Sequence, residues 1–232
     1  MLNLPYIVSD LDGVLVDLVS EACYWFWQRF HVVVPPANIS TFEITDSIYE
    51  LISRNTEVRY GHPLYTKDEF QAEVRSKLWQ DPAIYMQSKP HFAIWRALLE
   101  WPRERLLFAT NRPQAWGIRH ATQDWLALHG FSEEQHELHF CHAGCAKKDV
   151  IAAVRQTLVN AQGNSSHVIF IEDNQVEAEQ VHQAFPDIDV ILVERPWVAL
   201  RSIPGEPSKL QVMHEQALCN YLRRVQEERG AQ

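Results

Sequence analysis

The sequence predicts an α/β fold, a doubly wound parallel sheet with a helical insertion after its first strand. Three observations predict it. Apolar runs at Tyr6–Ser9, Leu106–Ala109 and Val168–Ile171 each end in acidic or hydroxyl residues, as buried strands do where a site is built at their carboxyl ends. Helical patterns separate these runs. Finally, residues 18–105 lie between the first run and the second, far more than one crossover connection requires.

The first run leads into Asp10-Leu11-Asp12-Gly13-Val14-Leu15-Val16-Asp17. On a strand, positions i and i+2 point to one face, so Asp10 and Asp12 are expected to share one. Two carboxylates gathered there repel each other, and a cation or a proton offsets the repulsion. The insertion is expected to span residues 18–87, leaving 1–17 and 88–232 as the core. Its helix-like segments, Glu21 to Phe30, Asp46 to Ser53 and Lys67 to Leu78, are separated by Pro35-Pro36, Gly61-His62-Pro63 and Asp81-Pro82. Its aromatics, Tyr24, Trp25, Phe26, Trp27, Phe30, Phe42, Tyr49, Tyr60 and Tyr65, are expected mainly to fill its own small core. The other use open to them is stacking on an aromatic substrate group.

The second run ends in Thr110-Asn111-Arg112-Pro113. A helix is expected from Gln114 to Leu128, with Trp116, His120, Trp125 and Leu128 as its apolar stripe and Gly130 as its stop. Another helix opens at Lys147 and Lys148, and the third run ends in Glu172-Asp173-Asn174. A strand at Val190 to Val193 leads to Arg195-Pro196-Trp197, and Lys209 to Arg229 reads as a terminal helix. His136, His139, Cys141, His142 and Cys145 are zinc-ligand types, but their spacing matches no common zinc module.

Taken in order, these motifs resemble those of the haloacid dehalogenase (HAD) superfamily of phosphohydrolases, whose first motif is DxDGxxxD. The resemblance implies that Asp10 is the nucleophile forming an aspartyl phosphate and that Asp12 is the general acid and then base. Dehalogenases of the superfamily lack the second Asp, so its presence points to phosphate chemistry. Thr110 and the N–H of Asn111 would hold the transferring phosphoryl group, and Arg112 would add a bidentate phosphate contact, with a solvated arginine and a structural ion pair as its alternatives. Lys147 or Lys148 would offset negative charge. Magnesium would be held by Asp10, the main-chain carbonyl of Asp12, and Asp173, with Glu172 or Glu177 as a second acid. The layout, including Lys89-Pro90 and Thr122-x-x-Trp125-Leu126, is most similar to the 5'(3')-deoxyribonucleotidase-like branch. That implies a Mg²⁺-dependent phosphatase for a small phosphorylated metabolite, with nucleoside monophosphates the first candidates. Sugar phosphates and polynucleotide ends are the alternatives. A non-catalytic phosphate-binding regulator is expected to have lost an essential acid, and none is missing.

Composition sets outer bounds. The 232 residues are 46% hydrophobic with 8 Trp, enough for one main core and a smaller unit. A formal charge of −9 argues against a broad nucleic-acid surface, which draws on many cations. With no long apolar run or leader pattern, no membrane association and a cytoplasmic location are expected, with Cys23, Cys141, Cys145 and Cys219 reduced.

Overall fold

The computed structural model describes residues 4–40, 43–44, 46–132, 134–141, 146–162, 167–195 and 210–230. Strands β1 (Tyr6–Ser9), β2 (Leu106–Thr110), β3 (Glu137–Phe140), β4 (Val168–Glu172), β5 (Asp189–Val193) and β6 (Leu210–Met213) form one parallel sheet, ordered β6-β5-β4-β1-β2-β3. The central strands are almost wholly buried because alternate side chains enter two different cores. Ile7, Phe108, Ile169 and Ile191 face one; Val8, Leu107, Phe170 and Val190 face the other. Helices α5 (Phe92–Leu99), α6 (Trp116–Leu128) and α9 (Glu215–Gly230) supply apolar residues to the first. Helices α7 (Lys147–Gln162) and α8 (Gln175–Ala184) supply the second. Since β1 lies between β4 and β2, the polar residues following these three strands emerge side by side.

Between β1 and β2 lies the helical insertion: α1 (Leu18–Phe30), α2 (Asp46–Tyr60), α3 (Lys67–Val74), a π-helical turn (Arg75–Trp79) and α4 (Pro82–Gln87). Its helix starts follow from local chemistry. Asp17 caps α1 by accepting the N–H of Ser20, Thr66 and Glu69 form a capping box on α3, and Asp81 precedes Pro82 at the first turn of α4. Its core contains Phe26, Phe30, Phe70, Leu78 and Tyr85, and α6 adds Ile118 and Ala121 to it. The insertion is therefore packed onto α6. An antiparallel pairing of Val16–Asp17 with Lys89–Pro90 joins its two ends.

Two sequence expectations are corrected. The buried face of α6 is Ile118, Ala121, Thr122, Trp125 and Leu126. Trp116 and Leu128 are 76% and 73% exposed. Of the expected stripe only Trp125 lies on that face, because 118, 121/122 and 125 follow the helical period and 116, 120, 125 and 128 do not. The terminal segment is also not one helix: Leu210–Met213 pairs with β5 as an edge strand before α9 begins. Aromatics divide as well, with Phe26 and Phe30 buried and Tyr24, Trp27 and Tyr60 about half exposed. Phe42, His142, Cys145, Pro196, Trp197 and Lys209 lie outside the described residues. Among the described residues, no helix is long and apolar enough to cross a membrane.

Candidate active site

The chain leaves β1 at Ser9, so Asp12 stands beyond the strand in a tight turn, not on the strand face the sequence suggests. Leu11 O accepts the N–H groups of Leu15 and Val16 at 2.8 and 2.7 Å, closing the turn. Gly13 is required there twice over. Its φ of +78° is in the left-handed region, and a Cβ would fall 1.8 Å from Oδ2 of Asp173. The turn is also held from outside: Nε of Arg195 donates to the Gly13 carbonyl at 2.6 Å and a terminal nitrogen donates to the Val14 carbonyl at 3.1 Å. Glu215 anchors the same guanidinium at 3.1 Å. The sequence assigns Arg195 no role; an arginine two residues beyond the apolar strand is the signal it offers.

Lys147 is buried at the centre of an acidic cluster. Its ammonium lies 2.8 Å from Asp10, 2.7 Å from Glu172 and 3.2 Å from Glu177. Lys148 is exposed, so Lys147 is the lysine that reaches the site. Glu172 is fully engaged, one oxygen on Lys147 and the other accepting the N–H groups of Asp173 and Asn174 at 3.1 and 3.0 Å. Asn111 donates its side-chain amide to Glu177, linking the end of β2 to α8. Burial, with Glu172 adding to it, raises Asp10 well above the usual carboxylate range. Burial likewise pushes Glu172 up to about 7. Burial opposes the charge on Lys147 too, yet Asp10, Glu172 and Glu177 together hold its pKa well above the ordinary value.

Asp12 belongs to a second arrangement. Arg112, fully enclosed, forks onto its carboxylate: a terminal nitrogen lies 2.6 Å from Oδ1 and Nε 2.9 Å from Oδ2. Of the alternatives the sequence leaves open for Arg112, the structure contains the ion pair. The other terminal nitrogen donates to Thr122 at 3.0 Å, and the guanidinium carbon is 4.6 Å from the ring centre of Tyr85. Thr110 is enclosed at the end of β2, its hydroxyl oxygen accepting the N–H of Arg112 at 3.2 Å, and its own O–H has no acceptor among the described residues.

Asp10, Asp12, Asn111, Lys147, Glu172, Asp173 and Asn174 line a cavity of about 70 Å³. Oxygen atoms of Asp10, Glu172 and Asp173 lie within 4.8 Å of one another, so this trio can hold a metal ion. An all-carboxylate donor set suits a hard cation such as Mg²⁺. The sequence names the main-chain carbonyl of Asp12 beside Asp10 and Asp173, with Glu172 or Glu177 as a second acid; among side-chain oxygens it is Glu172 that stands with Asp10 and Asp173, while the Asp12 carboxylate is on Arg112. Of the zinc-type residues, His136 bonds Ser132 O, His139 faces Glu137, and Cys141 is in a hydrophobic core. The described ones thus serve packing and local bonding.

No protein-family model matches the chain, and no curated protein matches it either. Solved structures do. A predicted phosphoglycolate phosphatase from Haemophilus somnus aligns with a TM-score of 0.54 at 15% identity, covering 97% of this chain and 100% of that one. A HAD family hydrolase from Deinococcus radiodurans, with phosphate and sodium bound, gives 0.53 at 14% identity over 97% of each chain. Protein tyrosine kinase A from Mycobacterium tuberculosis gives 0.53 at 14% identity, covering 94% of this chain and 98% of that one. The chain therefore shares the fold of these structures, a six-stranded parallel sheet with a helical insert after β1. Relatives of this fold named as phosphatase and as kinase score alike, so activity has to be argued from the site.

Proposed function

We propose that the protein is a Mg²⁺-dependent phosphomonoesterase that works through an aspartyl phosphate on Asp10. The observation that carries this reading is the convergence of Asp10, Glu172 and Asp173 with Lys147 in one small cavity at adjacent strand ends. The cavity is far smaller than the roughly 300–1,000 Å³ of a pocket that encloses a drug-sized ligand. It suits the phosphoryl end of a substrate.

Asp10 attacks phosphorus, splitting one hard displacement into two easier ones. Thr110, through its free O–H, and Asn111 hold phosphoryl oxygens, and Lys147 offsets the charge gathered there. Asp12 gives a proton to the leaving oxygen and then takes one from the water that releases phosphate. Asp10, Asp173 and the main-chain carbonyl of Asp12 hold the cation, with Glu172 keeping Lys147 and the Asp173–Asn174 backbone in place. Bound there, Mg²⁺ supplies charge neutralisation at the phosphoryl oxygens. The insertion, residues 18–87, acts as the cap that selects the leaving group.

Support comes also from the similarity to a hydrolase with bound phosphate and to a protein named as a phosphatase. Nucleoside monophosphates are the first substrates to try, on the motif layout's resemblance to the deoxyribonucleotidase-like branch; sugar phosphates come next. Phosphate release is measured across both classes and an aryl phosphate, with Mg²⁺ or EDTA. Turnover that needs the metal and vanishes in Asp10→Asn is the expected result. A folded protein that binds Mg²⁺ and releases no phosphate from any of them refutes the reading.

A further inference from the structure

We infer that Arg112 is a positioning residue for Asp12, and that Tyr85 ties this positioning to the helical insertion. This rests on the phosphatase reading above and adds to it the device that aims the proton donor.

The geometry makes the case by exhaustion of freedom. Asp12 is bonded through both oxygens to a guanidinium fork, at 2.6 Å on Oδ1 and 2.9 Å on Oδ2, which fixes the plane of its carboxyl group. The fork itself cannot turn. Its remaining terminal nitrogen is bonded to Thr122 on α6 at 3.0 Å, and its central carbon lies over the Tyr85 ring, 4.6 Å from its centre. Tyr85 belongs to α4, the last helix of the insertion, and its hydroxyl donates to Trp79 O at 2.8 Å. Asp12 nevertheless lines the cavity that Asp10 lines, so the held carboxyl group faces the reaction space. A structural ion pair at this depth has no cause to place one partner there, and replacing it with apolar residues is often neutral or stabilising.

The consequence falls on one step. As the Asp10 oxygen–phosphorus bond forms and the phosphorus–oxygen bond to the leaving group breaks, the electron pair goes to that oxygen; Asp12, entering this step as the protonated acid, delivers its proton there and is left as the carboxylate that the guanidinium fork holds. An alkoxide leaving group depends on this proton, whereas a nitrophenolate is stable as an anion and depends on it little. Misaiming Asp12 therefore damages alkyl phosphates selectively.

The test is kcat/KM for an alkyl phosphate that the wild type turns over and for p-nitrophenyl phosphate, in wild type, Arg112→Lys, Tyr85→Leu and Tyr85→Phe. Lysine keeps the charge and loses the fork. Arg112→Lys is expected to lose roughly 100-fold on the alkyl substrate, the lower range of general acid catalysis, and much less on the aryl one. Tyr85→Leu should show the same split more weakly, and Tyr85→Phe, which keeps the ring, should restore the wild-type ratio. Melting temperature and Mg²⁺ binding identify folded variants. Equal losses on both substrates in a folded Arg112→Lys protein, or no loss, overturn the inference while leaving the phosphatase reading intact. Wild-type protein without phosphatase activity overturns both.

Discussion

The two sides of the pocket use their cations differently. On one side Lys147 is a single ammonium shared among Asp10, Glu172 and Glu177. On the other, Arg112 gives its fork to one carboxylate and its remaining donor to a hydroxyl. An ammonium is a compact charge with rotatable donors, suited to balancing acids whose arrangement changes as a phosphoryl group arrives. A guanidinium is planar and fixes direction. On the phosphatase reading proposed above, the difference teaches that charge is balanced beside the nucleophile and orientation is imposed on the proton donor.

Removing the shared charge should have the largest effect. Lys147→Met leaves Asp10, Glu172 and Glu177 gathered with no ammonium, and stripping one partner from a buried ionic cluster costs about 3–5 kcal/mol. Urea unfolding in metal-free buffer should show a loss of that order, and phosphatase activity should fall by roughly 10²–10³-fold. A loss below about 1 kcal/mol, the worth of an exposed pair, would mean that the acids are neutralised by protons and that Lys147 balances nothing.

A cation should strengthen the Lys147 side alone. Mg²⁺ at a hundredfold its dissociation constant stabilises the folded state by about 2.7 kcal/mol. Gly13→Ala should abolish that gain, because its Cβ would occupy the place of the Asp173 carboxylate, 1.8 Å from Oδ2. The melting temperature with and without Mg²⁺ reads this without any substrate. A Gly13→Ala protein that still gains stability from Mg²⁺ places the ion away from Asp173.

What the sequence shows of these two sides differs for the same reason. Asp10, Thr110 and Glu172-Asp173 stand directly after apolar runs, and an α/β sheet brings strand ends together, so local pattern reaches most of the Lys147 side. Lys147 and Lys148 are told apart only by which face of α7 turns inward. The Arg112 side joins residues 12, 85, 112 and 122, whose pairing depends on how α4 packs against α6, and no spacing along the chain encodes that. Arg195 is hidden likewise, reaching carbonyls at Gly13 and Val14 from the end of β5. Leu210–Met213 misled because four residues beside a long helical pattern carry too little period to reveal a strand; its partner β5 decides it.

The finest cut is Thr122→Val. Thr122 accepts a bond from Arg112 at 3.0 Å and donates its own to Ile118 O at 2.8 Å. Valine keeps the shape and leaves one buried guanidinium N–H without an acceptor, at a cost of about 1–3 kcal/mol. The fork on Asp12 survives, so catalysis should fall only a few-fold, from one lost hydrogen bond, and more for alkyl than for aryl phosphates. A stability loss with no change in the alkyl-to-aryl ratio would show that Tyr85 alone suffices to hold the guanidinium. A ratio shifted as far as in Arg112→Lys would show that the direction of Asp12 depends on the anchor in α6 as much as on the fork itself.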